Sequence, residues 1–124
     1  PPLEVDLQAF HDSEADLYAN RLKTELSDEC TYLVPAPLDP ALAHQLNVLA
    51  AATFRVIGCK DVARVDFRLD RHNDNKPYIL EINPLPGLNP GYSDLCIEAE
   101  AGGWTYEELI NRVLDMAVER YELV

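Results

Sequence analysis

Two stretches of alternating polarity, separated by a short polar loop, constrain this chain more than any other feature. Along residues 63–69, Val65, Phe67 and Leu69 alternate with Arg64, Asp66 and Arg68. Along residues 78–83, Tyr78, Leu80 and Ile82 alternate with Ile79, Glu81 and Asn83. A two-residue period belongs to strands whose two faces meet different surroundings. Residues 70–76 are polar and Pro77 leads into the second run, so the pair reads as an antiparallel hairpin.

Helices are announced around the hairpin by their ends. Asp39-Pro40 reads as an N-cap followed by proline at the first helical position. Leu42, Leu46 and Leu49, then Thr53 or Val56, follow at helical spacing until Gly58 stops the run. Thr105 and Glu108 form a T-x-x-E capping box for a last helix, whose apolar stripe runs from Leu109 to Tyr121. Residues 94–101 suit a short helix. Thr31-Tyr32-Leu33-Val34 is a short β-prone run ended by Pro35 and Pro37, and residues 16–23 form a candidate strand. Residues 1–12 carry no period and read as a ragged start. Residues 84–91 hold three prolines and two glycines, too stiff for a helix and too broken for a strand, so they form a shaped loop. This order of elements gives an α+β fold, an antiparallel sheet packed with helices, as a single domain over 1–124. The start at Pro1-Pro2, without Met, reads as a piece of a longer chain.

Composition narrows the partners. The 124 residues include 48% apolar side chains, enough to fold. Ten basic residues against 22 acidic ones leave a formal charge of −12, which repels phosphodiester backbones and anionic membranes. No apolar run approaches the length of a membrane span. Cys30, Cys59 and Cys96 are widely spaced and lack any zinc pattern, so they read as reduced cysteines in a cytoplasmic protein.

The polar faces of the hairpin carry the chemistry. Arg64, Asp66 and Arg68 share one face of the first strand, and Glu81 and Asn83 share one face of the second. If the apolar sets face the core, the polar sets lie together with cross-strand neighbours about 5 Å apart. Two carboxylates and an amide oxygen are hard ligands. They suit Mg²⁺ or Mn²⁺ and leave coordination positions for water and phosphate oxygens. The same alternation also serves a solvated sheet face with a cross-strand Arg–Glu pair, and spacing alone leaves both readings open. An EF-hand over residues 70–81 is rejected: His72 and Asn75 stand at the third and sixth loop positions, Pro77 lies inside, and the flanks are strands. His11, His44 and His72 have no partner at ligand spacing and read as surface residues. Trp104 suits a hydrophobic staple before the last helix. The Glu98-Ala99-Glu100 run reads as a solvated face, and Cys96 as an unactivated thiol near the loop.

The stretch Gly58-Cys59-Lys60, Ala63-Arg64-Val65-Asp66-Phe67 and Tyr78-Ile79-Leu80-Glu81-Ile82-Asn83-Pro84-Leu85-Pro86-Gly87-Leu88 resembles the D-alanine–D-alanine ligases of the ATP-grasp class. Their signature reads approximately GxxRxD, then LLExNxxPGM. Val34-Pro35-Ala36-Pro37-Leu38 and the capped last helix also resemble the family, so the likeness covers roughly residues 18–122 and is densest over 58–88. It implies the C-terminal ATP-grasp subdomain of a ligase active in cell-wall biogenesis, working on ATP and small amino acids beside an upstream subdomain of its own chain. Homodimerisation is left open. By resemblance, Asp66, Glu81 and Asn83 are ligands of two Mg²⁺ ions that hold the ATP phosphates. Arg64 stabilises negative charge on the reacting groups, and the Gly87 backbone N–H helps bind the developing oxyanion.

Departures from the pattern bear on the substrate. The family continues M-T-x-x-S-L after the glycine, and its Ser-Leu pair contacts the carboxylate of the second amino acid. Here the run is Leu88-Asn89-Pro90-Gly91-Tyr92-Ser93-Asp94. Ser93 takes that role with one inserted residue, and Tyr92 takes it without; Tyr92 is either a pocket wall or a packing residue. Asp94 is unfavourable beside a substrate carboxylate. The family's mobile Lys-Tyr loop is met by Lys23-Thr24-Glu25, without the tyrosine. No glycine-rich phosphate loop of the GxxxxGK type occurs, so these residues alone are expected to bind Mg²⁺–ATP weakly and not to turn over. A ligase for other amino acids or dipeptides, and a non-catalytic remnant, stand as alternatives.

Overall fold

A computed structural model describes residues 1–6 and 31–123. The expectations for the strand at 16–23, for the Lys23 loop, and for His11 and Cys30 lie outside the described residues. The expected α+β character holds, with the strands in two separate two-stranded sheets instead of one. Strand β1 (Glu4–Asp6) pairs antiparallel with β2 (Thr31–Leu33), Val5 facing Tyr32. So the first residues, read as ragged, contain a strand; three residues are too few to show a period.

Helix α1 (Pro40–Ile57) forms where its ends foretell. Asp39 Oδ1 accepts the Ala41 and Leu42 N–H groups at 2.9 and 3.1 Å, satisfying two of the donors a helix start leaves orphaned. Gly58 closes the helix at φ 78, a left-handed conformation in which glycine carries no Cβ penalty. Helix α2 (Asp94–Ala101) follows the shaped loop. Helix α3 (Tyr106–Tyr121) opens with the full capping box: Glu108 N–H donates to Thr105 Oγ1 at 3.2 Å, and Thr105 N–H donates to Glu108 Oε2 at 2.7 Å. These bonds hold the fully exposed Glu108 carboxyl below its usual pKa. At the far end of α3, Arg120 donates through Nε (3.2 Å) and Nη2 to Asp61, a non-glycine residue at φ 61 just before the hairpin.

The hairpin is β3 (Arg64–Asp70) with β4 (Lys76–Asn83). Its register pairs Arg64 with Asn83, Val65 with Ile82, and Asp66 with Glu81. It then slips: Phe67 pairs with Ile79 and Arg68 with Tyr78, so Leu80 is the extra residue of a β-bulge. A one-residue slip exchanges faces. Sequence alternation sets Tyr78 with Leu80 and Ile82; the structure sets Tyr78 opposite Arg68 and puts Ile79 on the Val65–Phe67 side.

Helix α1 rests against both hairpin strands, and α2 against α3. Each helix supplies one side chain to the buried apolar core of the described residues: Leu46, Cys96 and Leu109. Burial pushes the Cys96 thiol pKa up, consistent with an unactivated cysteine. His44 and His72 are exposed, and Trp104 stands half-exposed just before α3. Among the described residues, no helix is long and apolar enough to cross a membrane.

Candidate active site

The hairpin end nearest the shaped loop gathers the residues singled out by sequence. Because Arg64 pairs with Asn83 and Asp66 with Glu81, the four share one face of the first pairs of the ladder. Arg64 and Asp66, two apart on one strand, meet directly: Nε donates to Oδ1 at 2.7 Å and Nη2 to Oδ2 at 2.9 Å, a bidentate charge-assisted pair. Nη2 also reaches Glu81 Oε1 at 3.3 Å across the strands. The Asp66 hydrogen bond raises the Arg64 pKa further, against burial, which lowers it. This guanidinium keeps its charge at any working pH.

Sequence reasoning named Asp94 as an obstacle to substrate and missed its pairing with Arg64. Asp94, the first residue of α2, accepts from Arg64 Nη1 at 2.9 Å. Its side chain is 16% exposed, against 27% for Asp66 and 55% for Glu81. Thirty positions separate Asp94 from Arg64, and no local pattern announces a contact of that span. The expected repulsion of a substrate carboxylate by Asp94 is offset by this pairing. Among the described residues, no three His, Cys, Asp or Glu side chains are arranged as a metal cluster. The guanidinium itself lies among the three carboxylates. The donor set that suits a hard cation is therefore two carboxylates and an amide: Asp66, the more open Glu81, and Asn83.

Asn83 also starts the loop, its Oδ1 accepting the Leu85 N–H at 3.0 Å, an Asx turn that leaves lone-pair capacity on the oxygen. Pro86 is buried and pins the loop beneath. Gly87 packs closely on Ser93: a Cβ there would lie 2.6 Å from Ser93 Oγ and 3.3 Å from Ser93 Cβ, so a side chain would displace the serine hydroxyl. Ser93 Oγ accepts the Asn89 N–H at 2.9 Å, folding residues 87–93 back on themselves. The serine side chain makes no cap bond to the helix that follows, while the Ser93 carbonyl accepts the Cys96 and Ile97 N–H groups at 2.9 and 3.0 Å. Gly91, at φ 70, allows the turn, and Tyr92 is left 54% exposed, outside the carboxylate cluster. The structure thus brings Arg64, Asp66, Glu81 and Asn83 to one place and sets Gly87 against Ser93 in the adjoining loop. Tyr92 joins neither group.

The charge run read as solvated is only partly so. Glu98, one turn past Asp94, is mostly buried, and desolvation pushes its pKa up to about 7. Glu100 is exposed.

A family model described as D-ala D-ala ligase C-terminus matches residues 5–115. The chain belongs to this family. It is 44% identical over 91 residues to a D-alanine–D-alanine ligase of Janthinobacterium sp. (strain Marseille), covering 73% of this chain and 28% of that protein. It is 41% identical over 100 residues to a D-alanine–D-alanine ligase of Cupriavidus metallidurans, covering 81% and 29%. It is also 45% identical over 87 residues to an uncharacterized protein, y4sG, of Sinorhizobium fredii, covering 70% and 25%. The chain spans less than a third of the length of these relatives.

Proposed function

We propose that this D-alanine–D-alanine ligase C-terminal chain supplies the metal- and substrate-binding part of an ATP-dependent carboxylate–amine ligase. The observation that carries the reading is the shared face of Arg64, Asp66, Glu81 and Asn83 at one end of the hairpin. The expected co-substrates are ATP and small amino acids, working against an upstream subdomain of the same protein.

In the reaction, an oxygen of one amino acid's carboxylate attacks the γ-phosphorus of ATP, the bond to the ADP oxygen breaks, and an acyl phosphate forms. The amine of a second amino acid then attacks the acyl carbon, phosphate leaves with the bonding pair, and the new amide nitrogen loses its extra proton. Both reactants of the first step are anions, so fixed positive charge and alignment are what the protein must contribute. Asp66, Glu81 and Asn83 would hold two Mg²⁺ or Mn²⁺ ions, which when bound offset phosphate charge. Arg64 faces the same space with a charge that does not titrate away, and it neutralises oxygens on the reacting phosphoryl and acyl groups. The Gly87 N–H, on the loop packed closely against Ser93, is the expected oxyanion donor.

The test is phosphate release by the full-length protein with ATP, Mg²⁺ and amino acids. Asp66→Ala and Glu81→Ala should each lower turnover by a factor of about 10²–10³ or more. Wild-type rates in either variant would remove the catalytic claim.

A second reading, a ligase for other amino acids or dipeptides, is favoured by the loop. Ser93 already holds Asn89, Tyr92 is exposed, and Asp94 is engaged with Arg64. A panel of D- and L-amino acids read by phosphate release separates the two. Nucleotide binding without turnover on any pair would mark a non-catalytic remnant.

A further inference from the structure

We propose that Asp94 is a positioning residue that anchors the Arg64 guanidinium independently of the ions and ties it to the loop receiving the second substrate. The inference rests on the ligase reading above. Arg64 has three carboxylate partners, and two of them, Asp66 and Glu81, are the expected cation ligands. Lone pairs given to a divalent cation are lone pairs withdrawn from a guanidinium. The third partner is free of that competition. Asp94 lies on a different element, takes a different nitrogen (Nη1, 2.9 Å), and leaves the Nε–Nη2 edge to the hairpin.

Two further features suit Asp94 to the task. It is the least exposed of the three carboxylates, so its pairing is the least screened by water. It also stands at the first position of α2, where the helix dipole favours a negative charge. Its neighbour Ser93 is the N-cap residue of α2, and Ser93 Oγ accepts the Asn89 N–H and lies against Gly87. Gly87, Ser93, Asp94 and Arg64 therefore form one connected path from the oxyanion loop to the cationic side chain. An aspartate that the sequence presents as an obstacle to substrate becomes the brace of the arginine.

The experiment uses the full-length protein with saturating Mg²⁺ and ATP and the amino-acid pair giving the highest wild-type rate. Asp94→Asn keeps size and an acceptor oxygen but loses the charge. It should lower kcat by about 10- to 100-fold, the usual worth of a charge-assisted hydrogen bond, with the KM for ATP and the thermal midpoint nearly unchanged. Asp94→Glu should recover part of the rate. An unchanged kcat, or a loss shared equally by KM and thermal midpoint, overturns the proposal. A second readout does not depend on turnover: the NMR signal of the Arg64 Nε–H. With Mg²⁺ added it should persist in the wild type and broaden or vanish in Asp94→Asn; the same signal in both overturns the proposal. Absence of wild-type turnover on every amino-acid pair overturns the ligase reading, and the NMR comparison then decides the role of Asp94 by itself.

Discussion

Arg64 addresses three carboxylates through three different nitrogens, and that division of labour organises the neighbourhood. Four residues beyond Asp94 on the same helix, Glu98 meets the opposite situation: burial without a dedicated cation. Desolvation is the largest influence on it and lifts its pKa from 4.5 to about 7. Arg64 and the Leu3 backbone pull the value down, and Asp94 pushes it up. The fold therefore prefers the protonated acid more than the unfolded chain does. Its contribution is complete below pH 4.5 and is lost as pH rises through about 7. The shift corresponds to up to about 3 kcal/mol. Glu98→Gln should flatten the decline of the thermal midpoint between about pH 5 and pH 8. A variant that tracks the wild type across that range would show that Glu98 is not the group responsible. The sequence displays Glu98 beside Glu100 as an ordinary charged run, and only tertiary burial separates them. Arg64, Asp66, Glu81 and Asn83 were legible because strand alternation places them on one face. The engagement of Asp94 was not, since it arises between elements thirty residues apart.

At the scale of elements, legibility followed the caps. Helix α1 was readable to the residue, because Asp39, Pro40 and Gly58 perform local chemistry that needs no tertiary partner. The same holds for the Thr105–Glu108 box of α3. Asp39→Ala should cost about 1 kcal/mol by removing two hydrogen bonds to the first turn. Gly58→Ala should cost a similar amount, about 1 kcal/mol. Nothing crowds the site of the added methyl, so the loss comes from the left-handed backbone at φ 78. Urea unfolding of each variant checks both values. An unchanged midpoint for Gly58→Ala would mean the helix end relaxes to another conformation. Strands were read less well. Three-residue β1 is too short for a period, and the bulge in β4 was hidden because Tyr78, Ile79 and Leu80 are all apolar or aromatic, leaving no polar marker for the slip.

The whole molecule combines a formal charge of −12 with a small buried core of Leu46, Cys96 and Leu109 among the described residues. Self-repulsion of that size opposes compaction and is screened by salt. Raising NaCl from about 20 mM to about 500 mM, which shortens the screening length severalfold, should therefore raise the thermal midpoint. A falling midpoint would mean that the attractive clusters, Arg64 with its carboxylates and Arg120 with Asp61, outweigh the net charge. The bulge at Leu80 bears on the molecule as a whole. A regular ladder with Leu80 paired opposite Phe67 would invert every side chain between 76 and 79, setting Ile79 opposite Arg68 and Tyr78 opposite Leu69. The hairpin's sidedness is thus encoded by a count of residues rather than by their kinds: deleting Leu80 would leave every other pairing in place, whereas drawing it into the ladder would exchange the faces of the turn end.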